Sequence, residues 1–449
     1  MDIEKETGVL LYATQGAGTG GRIRQQAEDF LVEEITNRTD MAGGTGVDSG
    51  KYLLVELTKK NWDTHHLVRE LSRIMHISQD RFGWAGTKDR RALTRQLISI
   101  WNVSQEDVCR IRLRDVELAP VGRASRKLSL GDLWGNRFMI VVRDIALSGE
   151  EVSRRVERIN SEFAAMGGAP NFFGIQRFGE VRPITHIVGE AIVRGDTRQA
   201  VLLYVGKAFG TEPEETQKAR NYVMETGDFR GGIRQFPHAL GFERAVMDHL
   251  VSGPDDYAGA LRVLSPNLQR MFVHAYQSYI FNHILSRRLL SGLPLGRAVE
   301  GDLVCFRNEA GLPDASRLQK VTGENLSGIN NLAQRGRVFV TAPLVGYGTA
   351  LASGQPGEIE RAVIEELGVD TSGFRVKELP ELSSEGKRRE IVMPFSPAFE
   401  VRDDEFNPGK YKLTLEFTLQ KGGYATSVLR EYIKSGEPSQ GSSGHGSLS

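Results

Sequence analysis

The first 145 residues of the chain combine strand-like apolar runs with one clear helical pattern. Thr64 is a residue type that caps helices, and the apolar residues after it recur on one face of a 3.6-residue period, which predicts a helix near residues 64–75. Its apolar positions are Leu67, Val68, Leu71, Ile74 and Met75. Strands are predicted over residues 23–35, 52–58, 97–101 and 137–143. The glycine-rich residues 38–50 predict a mobile loop between the first two strands.

The middle of the chain has a more helical pattern than either end. A helix is predicted over residues 150–166, ended by Gly167 and Gly168, and the spacing of apolar residues from Leu268 to Ile284 predicts a long one. Strict alternation over residues 413–419 then predicts a strand with one buried face, and a helix is expected over residues 424–434. Sheet, helical block and sheet in this order predict a domain built from both chain ends with the middle inserted into it.

Composition indicates a soluble, globular protein of two or three domains. The chain has 449 residues, of which 40% are hydrophobic, and its 57 Lys and Arg balance 57 Asp and Glu. A polyanion would therefore have to be bound by a local patch. No apolar run is long enough to span a membrane, and the first six residues do not match a signal peptide, so we expect a cytoplasmic protein. Residues 435–449 are rich in Ser and Gly and predict a disordered tail.

The sequence offers no clear cofactor or metal motif. Two cysteines, Cys109 and Cys305, cannot form a CxxC pair, and no histidine spacing typical of a metal site occurs. The glycine run at residues 16–21 lacks both the helix of a dinucleotide fingerprint and the Lys of a Walker loop. We therefore expect no metal and no cofactor.

Three segments could carry chemistry. Residues 80–96 hold five cations against two carboxylates, and Asp89 lies directly between Lys88 and Arg90, where positive charge favours an ionised, nucleophilic carboxylate. Residues 110–127 are also basic, with arginines alternating from Arg110 to Arg114 as on one face of a strand, which suits phosphates. Residues 171–179, NFFGIQRFG, place aromatic rings that could stack on bases among amides. A surface turn, a solvated face and core phenylalanines remain alternatives for the three segments.

Two of these segments together resemble the TruD family of tRNA pseudouridine synthases. The motifs are GTKDRRALTRQ at residues 86–96 and NFFGIQRFG at residues 171–179, in this order. Further matching segments occur at residues 28–34, 128–138, 277–282 and 417–431. The resemblance covers nearly the whole chain, except for the loop at residues 38–50, parts of the middle block and the last fifteen residues.

The resemblance implies an activity and a set of site residues. The activity is isomerisation of a uridine in tRNA to pseudouridine, expected at position 13, with tRNA as partner and Asp89 as nucleophile at either the sugar C1′ or the base C6. Phe173 would stack on the target base, Asn171 would contact it, and Phe30 and Phe417 would help to shape the pocket. Arg24 is a candidate partner for Asp89. The substrate-binding residues implied in this way are Arg24, Phe30, Lys88, Arg90, Asn171, Phe173 and Phe417.

The resemblance also implies a fold. We expect an α+β protein with the mixed, largely antiparallel sheet of pseudouridine synthases, flanked by helices and interrupted by an inserted TRUD α/β domain. The catalytic domain would comprise residues 1–194 and 391–434, and the insertion residues 195–390. A monomer without an obligate protein partner is the default expectation.

Two other function classes stay open. A non-catalytic RNA-binding or RNA-folding protein would keep the basic patches, but an anion inside such a patch would weaken its affinity for RNA, so Asp89 favours the enzyme. A carboxylate-dependent hydrolase of nucleosides or glycosides would need a second acid/base carboxylate, and the sequence places none persuasively.

Overall fold

A computed structural model describes residues 3–36 and 50–434, and spatial contacts divide the chain into two compact units. We call residues 14–165 with 395–449 the sheet unit, and residues 1–13 with 166–394 the helical unit. The boundaries expected from the sequence, 194/195 and 390/391, differ from these, and the assignment of a catalytic domain with an insertion stays a prediction. The predicted mobile loop, apart from Gly50, and the predicted disordered tail lie outside the described residues.

The strands and helices are numbered here in chain order. The strands are β1 (Phe30–Thr36), β2 (Tyr52–Lys60), β3 (Phe82–Trp84), β4 (Leu93–Trp101), β5 (Val116–Ala124), β6 (Leu133–Ile145), β7 (Ala169–Pro170), β8 (Leu303–Arg307), β9 (Pro313–Lys320), β10 (Val338–Leu344), β11 (Lys387–Glu390), β12 (Val392–Met393), β13 (Ala398–Asp403) and β14 (Tyr411–Gln420). The helices are α1 (Ile3–Glu6), α2 (Thr64–Ile74), α3 (Gln105–Cys109), α4 (Gly149–Ala165), α5 (Thr185–Val193), α6 (Thr197–Gly206), α7 (Glu214–Thr226), α8 (Phe229–Gln235), α9 (Gly241–Ser252), α10 (Tyr257–Arg262), α11 (Pro266–Leu290), α12 (Leu326–Gln334), α13 (Gly354–Glu366) and α14 (Ala425–Ile433).

The sheet unit contains one large sheet that uses strands from both parts of the chain. Its order is β13-β14-β6-β1-β4-β2-β5, with β3 also paired to β4. Among the described strands, β1 and β4 run parallel and the other pairs of this sheet are antiparallel. The sequence prediction of an α+β fold with a mixed, largely antiparallel sheet is therefore confirmed.

The register of this sheet aligns one buried row of side chains across five strands. Lys59 of β2 pairs with Thr94 of β4, which pairs with Val32 of β1. Val32 pairs in turn with Phe138 of β6, and Phe138 with Phe417 of β14. All five residues are buried. Because side chains alternate between the faces of a sheet, this row belongs to a single face.

Helix α2 covers one part of this face. The side chain of Asp63 caps the helix by accepting a hydrogen bond from the His66 amide, 2.9 Å long. Its buried residues Leu67, Val68 and Leu71 belong to one core cluster with Leu57 of β2 and Ile98 of β4. The helix predicted at residues 64–75 is thus confirmed, but its cap is Asp63 rather than Thr64. The part of its apolar stripe formed by Leu67, Val68 and Leu71 covers the sheet as expected, whereas Ile74 is 42% exposed.

Two local predictions in the sheet unit need correction. The strand expected over residues 23–35 begins only at Phe30, because residues 27–29 form a 3₁₀ turn in which the Asp29 carboxylate accepts a hydrogen bond from the Gln26 amide. Arg110, Arg112 and Arg114 do not lie on a strand. They follow α3 in a turn that precedes β5 and ends at the Leu113–Val116 bridge.

The helical unit contains α11, the longest of the described helices. This helix spans 25 residues, begins with Pro266 after the cap Ser265, and packs against α5, α13 and β10. The unit also contains a four-stranded sheet of order β11-β10-β8-β9 and the short pair β12-β7. The long helix predicted at residues 268–284 is confirmed. Within residues 3–36 and 50–434, no helix is both long and apolar enough to cross a membrane.

A buried ion cluster ties the turn before β1 to the β13–β14 connection. Arg143 of β6 donates hydrogen bonds to Asp29 at 2.7 Å, Asp404 at 2.9 Å and Glu405 at 3.2 Å. Burial opposes ionisation of Asp404, but hydrogen bonds from the Asp144 amide, Asn407 and Arg143 outweigh it and lower its pKa from 3.8 to about 2. The Asp404 carboxylate therefore stabilises the folded chain above its unfolded pKa, and this contribution is lost as pH falls towards 2.

We expect Asp404→Asn to lower the urea midpoint at neutral pH and to weaken the dependence of that midpoint on acid below about pH 4. All four tryptophans, at positions 62, 84, 101 and 134, lie in the sheet unit, so tryptophan fluorescence reports on it directly. Asp403→Asn is the matched control, because Asp403 is the exposed neighbour and should leave the acid dependence like that of wild type. Equal acid profiles for the two variants would contradict this role of Asp404.

Candidate active site

Asp89 lies in the loop of residues 85–92 that connects β3 to β4. Its side chain is 40% exposed, and its Oδ2 accepts a hydrogen bond from Nη2 of Arg24 at 2.6 Å. Arg24 itself is mostly buried, with 16% of its side chain exposed. The structure thus brings together the two residues that the sequence suggested as partners. A guanidinium at this distance favours the ionised form of a carboxyl group.

Arg24 adopts a backbone conformation that is unusual for its residue type. Its φ is +60°, in the left-handed region that costs a non-glycine residue about 1 kcal/mol or more. Its guanidinium carbon lies 4.3 Å from the ring centroid of Phe30, over one face of that ring. A cation over an aromatic face is attracted by the ring quadrupole. Phe30 and Asp89 therefore hold the guanidinium from two sides.

The aromatic residues of the same sheet face form a continuous row. The Phe30 ring meets Phe138 edge-on, with centroids 6.4 Å apart, and Phe138 stacks on Phe417 at 5.3 Å. Phe395 meets Phe417 edge-on at 5.3 Å. Phe30 and Phe417, both predicted to shape the pocket, thus lie on one face of the sheet with Phe138 between them. Arg24 and Phe30 link this row to Asp89.

Several polar contacts anchor the loop of residues 85–92 to the sheet and to α2. The Gln96 side chain donates to the Gly86 carbonyl at 3.0 Å, and the Lys88 amide donates to the Thr64 hydroxyl at 3.3 Å. At the end of the loop, the Asn61 amide donates to the Ala92 carbonyl at 3.2 Å. These bonds fix the backbone on both sides of Asp89.

Lys88 and Arg90 flank Asp89 but lie in different environments. Lys88 is 8% exposed, and its ammonium donates to Oε2 of Glu34 at 2.5 Å, where the Glu34 side chain is fully buried. Arg90 is exposed. The structure therefore presents the Arg90 guanidinium to solvent, whereas the Lys88 ammonium is used inside the protein.

The buried side chain of Lys59 contacts the main chain of Asp89. The Lys59 ammonium donates to the main-chain oxygens of Asp89 at 3.1 Å and Trp62 at 2.7 Å. Burial lowers the pKa of Lys59 from 10.5 to about 8, although the carboxylates of Asp63 and Asp89 act in the opposite direction. The backbone of Asp89 is thus hydrogen-bonded directly to a buried amine.

Asn171 and Phe173 belong to the helical unit. The Asn171 amide nitrogen donates to the Glu390 carboxylate at 2.8 Å, and its oxygen accepts from Arg389 at 2.5 Å. The guanidinium carbon of Arg389 lies 4.0 Å from the ring centroid of Phe173, which also meets Phe281 edge-on at 5.4 Å. Arg389 therefore couples the two predicted base-contacting residues within this unit.

The basic segment at residues 110–127 is only partly exposed to solvent. Arg110, Arg112 and Arg114 are exposed. Arg126 forms an ion pair with Asp132 at 2.6 Å, and Lys127 donates to the Asp80 carbonyl at 2.6 Å.

Within the described parts of the chain, no group of three or more His, Cys, Asp or Glu residues could hold a metal ion.

Comparison with known proteins identifies the family. The family model described as tRNA pseudouridine synthase D (TruD) matches residues 6–432. The chain belongs to the TruD family. A Methanosarcina mazei protein named probable tRNA pseudouridine synthase D is 55% identical over 433 residues, which cover 96% of this chain and 98% of that protein. A Halobacterium salinarum protein of the same name is 41% identical, with 96% and 97% covered.

A solved structure of the same family has the same fold. The crystal structure of a Methanosarcina mazei protein assigned to TruD superposes with a TM-score of 0.84 at 55% sequence identity. The match covers 97% of this chain and 98% of that one. The family resemblance and the fold expected from the two sequence motifs are therefore confirmed, and this TruD chain is an enzyme of the pseudouridine synthase class.

Sequence reasoning missed three residues that surround the TruD motifs. Lys59 follows Leu53, Val55 and Leu57 at a spacing of two, so the alternation places it on the buried face of β2, and this signal was available. Phe138 follows from the same alternation in β6. Arg389 had no comparable signal, because its contacts with Asn171 and Phe173 join residues more than 200 positions apart.

We expect Glu34→Gln to destabilise the sheet unit by about 3 kcal/mol, because it leaves the buried Lys88 ammonium without its counter-charge. The midpoint of urea unfolding, followed by tryptophan fluorescence, measures this loss. Glu33→Gln is the control: Glu33 points to the other face of β1, is 26% exposed, and pairs with Arg95 and Arg137, so its loss should cost about 0.5 kcal/mol or less. Equal losses of unfolding free energy in the two variants would show that the buried Lys88–Glu34 pair stabilises the protein no more than the exposed pairs of Glu33 do.

Proposed function

We propose that this TruD chain converts a uridine of tRNA, at position 13, into pseudouridine with the Asp89 carboxylate as nucleophile. The observation that carries the proposal is the Arg24–Asp89 ion pair, on an anchored loop beside an aromatic row, in a chain of this family. A nucleophilic carboxylate must be ionised, accessible and held in one orientation. Asp89 is partly exposed, and Arg24 supplies both charge and direction.

The reaction is an isomerisation in which atoms balance without a co-reactant. Asp89 attacks either C1′ of the ribose or C6 of the base, and both routes lead to cleavage of the bond between N1 and C1′. The uracil then turns, C5 bonds to C1′, and Asp89 is released. C5 loses its proton and N1 gains one. Consistent with this balance, we expect the enzyme to need neither a metal nor a cofactor.

The remaining site residues receive distinct roles in the proposal. Phe30 and Phe417 form part of an apolar wall for the flipped base, because a base that leaves its stack must regain contacts elsewhere. Phe173 stacks on the base, and Asn171 contacts its polar edge. Arg90, which is exposed, binds a neighbouring phosphate, whereas Lys88 serves substrate binding by holding the loop through Glu34. The cytoplasmic location and the monomeric state stay predictions.

Asp89→Ala is expected to abolish pseudouridine formation while the protein still binds tRNA, because the carboxylate acts in chemistry rather than in phosphate contact. An unmodified tRNA transcript is incubated with each protein, and pseudouridine is mapped by carbodiimide adducts and primer extension. Asp80→Asn is the control, since Asp80 is exposed, precedes the loop and should leave the activity intact.

A transcript with cytidine at position 13 tests the site on the RNA and should not be modified there. If the protein instead modifies another uridine, it is still a pseudouridine synthase, but the proposed position 13 is wrong. If wild type modifies no tRNA yet binds it as tightly as Asp89→Ala does, the protein is a non-catalytic RNA-binding protein.

Arg24→Met is expected to lower the single-turnover rate about tenfold or more, because Asp89 loses the cation that orients it and favours its ionised form. Arg22→Met provides a matched control, since Arg22 is 73% exposed and pairs with Asp144 instead. Both variants remove one positive charge, so a general loss of affinity for RNA would appear in both. A wild-type rate in Arg24→Met at saturating enzyme would refute the role assigned to Arg24.

A further inference from the structure

The strand β2 ends in two lysines that have opposite environments. Lys59 is buried and donates hydrogen bonds to the carbonyl oxygens of Trp62 and Asp89. Lys60 points to the other face, is 36% exposed, and forms an ion pair with Glu28. Burying an ammonium group costs free energy. The other residues of β2 that alternate with Lys59 on the same buried face are Leu53, Val55 and Leu57. A lysine at position 59 therefore calls for a reason other than packing.

We propose that Lys59 is a positioning residue of the isomerisation, which fixes the main chain of Asp89 so that its carboxylate points at the reacting base or sugar. The inference rests on the proposed function. Lys59 itself does not touch the substrate in this proposal. It acts through Asp89 alone.

The geometry of the loop supports this role. The other anchors reach Gly86, Lys88 and Ala92, whereas Lys59 reaches the carbonyl of the nucleophilic residue itself. The same ammonium also binds the Trp62 carbonyl, just beyond β2. Lys59 therefore ties the Asp89 backbone to the end of β2.

Burial and the neighbouring charges act on the protonation of Lys59 in opposite directions. Asp63 and Asp89 favour its protonated form, while burial and Lys88 oppose it. The amine can donate hydrogen bonds whether or not it is charged, but bonds from a charged donor are stronger. A misplaced reacting group costs an enzyme rate rather than affinity, and a shift of about 1 Å can cost about a hundredfold.

The test compares Lys59→Met with Lys60→Met in the full-length protein. Both variants remove one positive charge from the same strand. Single-turnover rates are measured with an unmodified tRNA transcript at saturating enzyme, and tRNA affinity is measured separately by filter binding. We expect Lys59→Met to lose about tenfold or more in rate with its tRNA affinity within about twofold of wild type, and Lys60→Met to keep the wild-type rate.

Hydrogen exchange of the two variants shows whether the loop alone has changed. Lys59→Met should exchange faster over residues 86–92 while β2 and β4 stay protected. A purely structural role would instead lower the protection of β2 and β4 and leave the rate of the folded fraction unchanged. If Lys59→Met does not fold, Lys59→Gln takes its place, because its shorter amide cannot reproduce both carbonyl contacts.

The outcomes separate this inference from the function on which it rests. A wild-type rate in folded Lys59→Met, or in its replacement Lys59→Gln, overturns the positioning role while wild type remains active and Asp89→Ala inactive. An equal loss of rate and tRNA affinity overturns it as well. Absence of pseudouridine with wild-type protein on a panel of tRNAs would instead refute the proposed function.

Discussion

The parallel pairing of β1 with β4 is the constraint on which the rest of the site depends. Neighbouring parallel strands begin at the same edge of a sheet, so the segments that precede them meet there. Arg24 precedes β1 and Asp89 precedes β4, and their side chains meet although 65 positions separate them in the chain. An antiparallel pairing of the same two strands would place these segments at opposite edges. The strand direction therefore brings the two segments together, and the side chains of Arg24 and Asp89 then form the ion pair.

The two-residue alternation of the strands sends neighbouring charged side chains to opposite faces of the sheet, one buried and the other partly exposed. On β1, Glu34 enters the protein to meet Lys88, and its neighbour Glu33 meets Arg95 and Arg137 on the other face. On β2, Lys59 and Lys60 divide in the same way. Residues of one type thus serve different ends one position apart, because the pleat sends each to its own face. A shift of register by one residue would exchange these roles completely.

Much of this arrangement could be predicted from the sequence. Periodicity located α2, α4, α11 and β14, and two motifs together identified the family. The resemblance also suggested Arg24 as the partner of Asp89, and the two side chains are in contact. The start of β1 was predicted too early, since apolar content alone does not reveal the turn at residues 27–29. The burial of Lys88 was also unexpected, because a lysine in a basic segment suggests solvent until a buried partner such as Glu34 is known. Contacts such as Arg389 with Phe173 depend on tertiary structure and have no local signal.

The sheet that carries Asp89 is assembled from distant parts of the chain. β14 pairs with β6, and the whole helical block of residues 166–394 lies between them in sequence. Pairing over such a separation requires closing a very large loop, which is slow and late in folding. During synthesis the ribosome must therefore release β14 before Phe417 can join the aromatic row. Asp89 is translated long before Phe417, so the aromatic row beside it is completed only after β14 has been made.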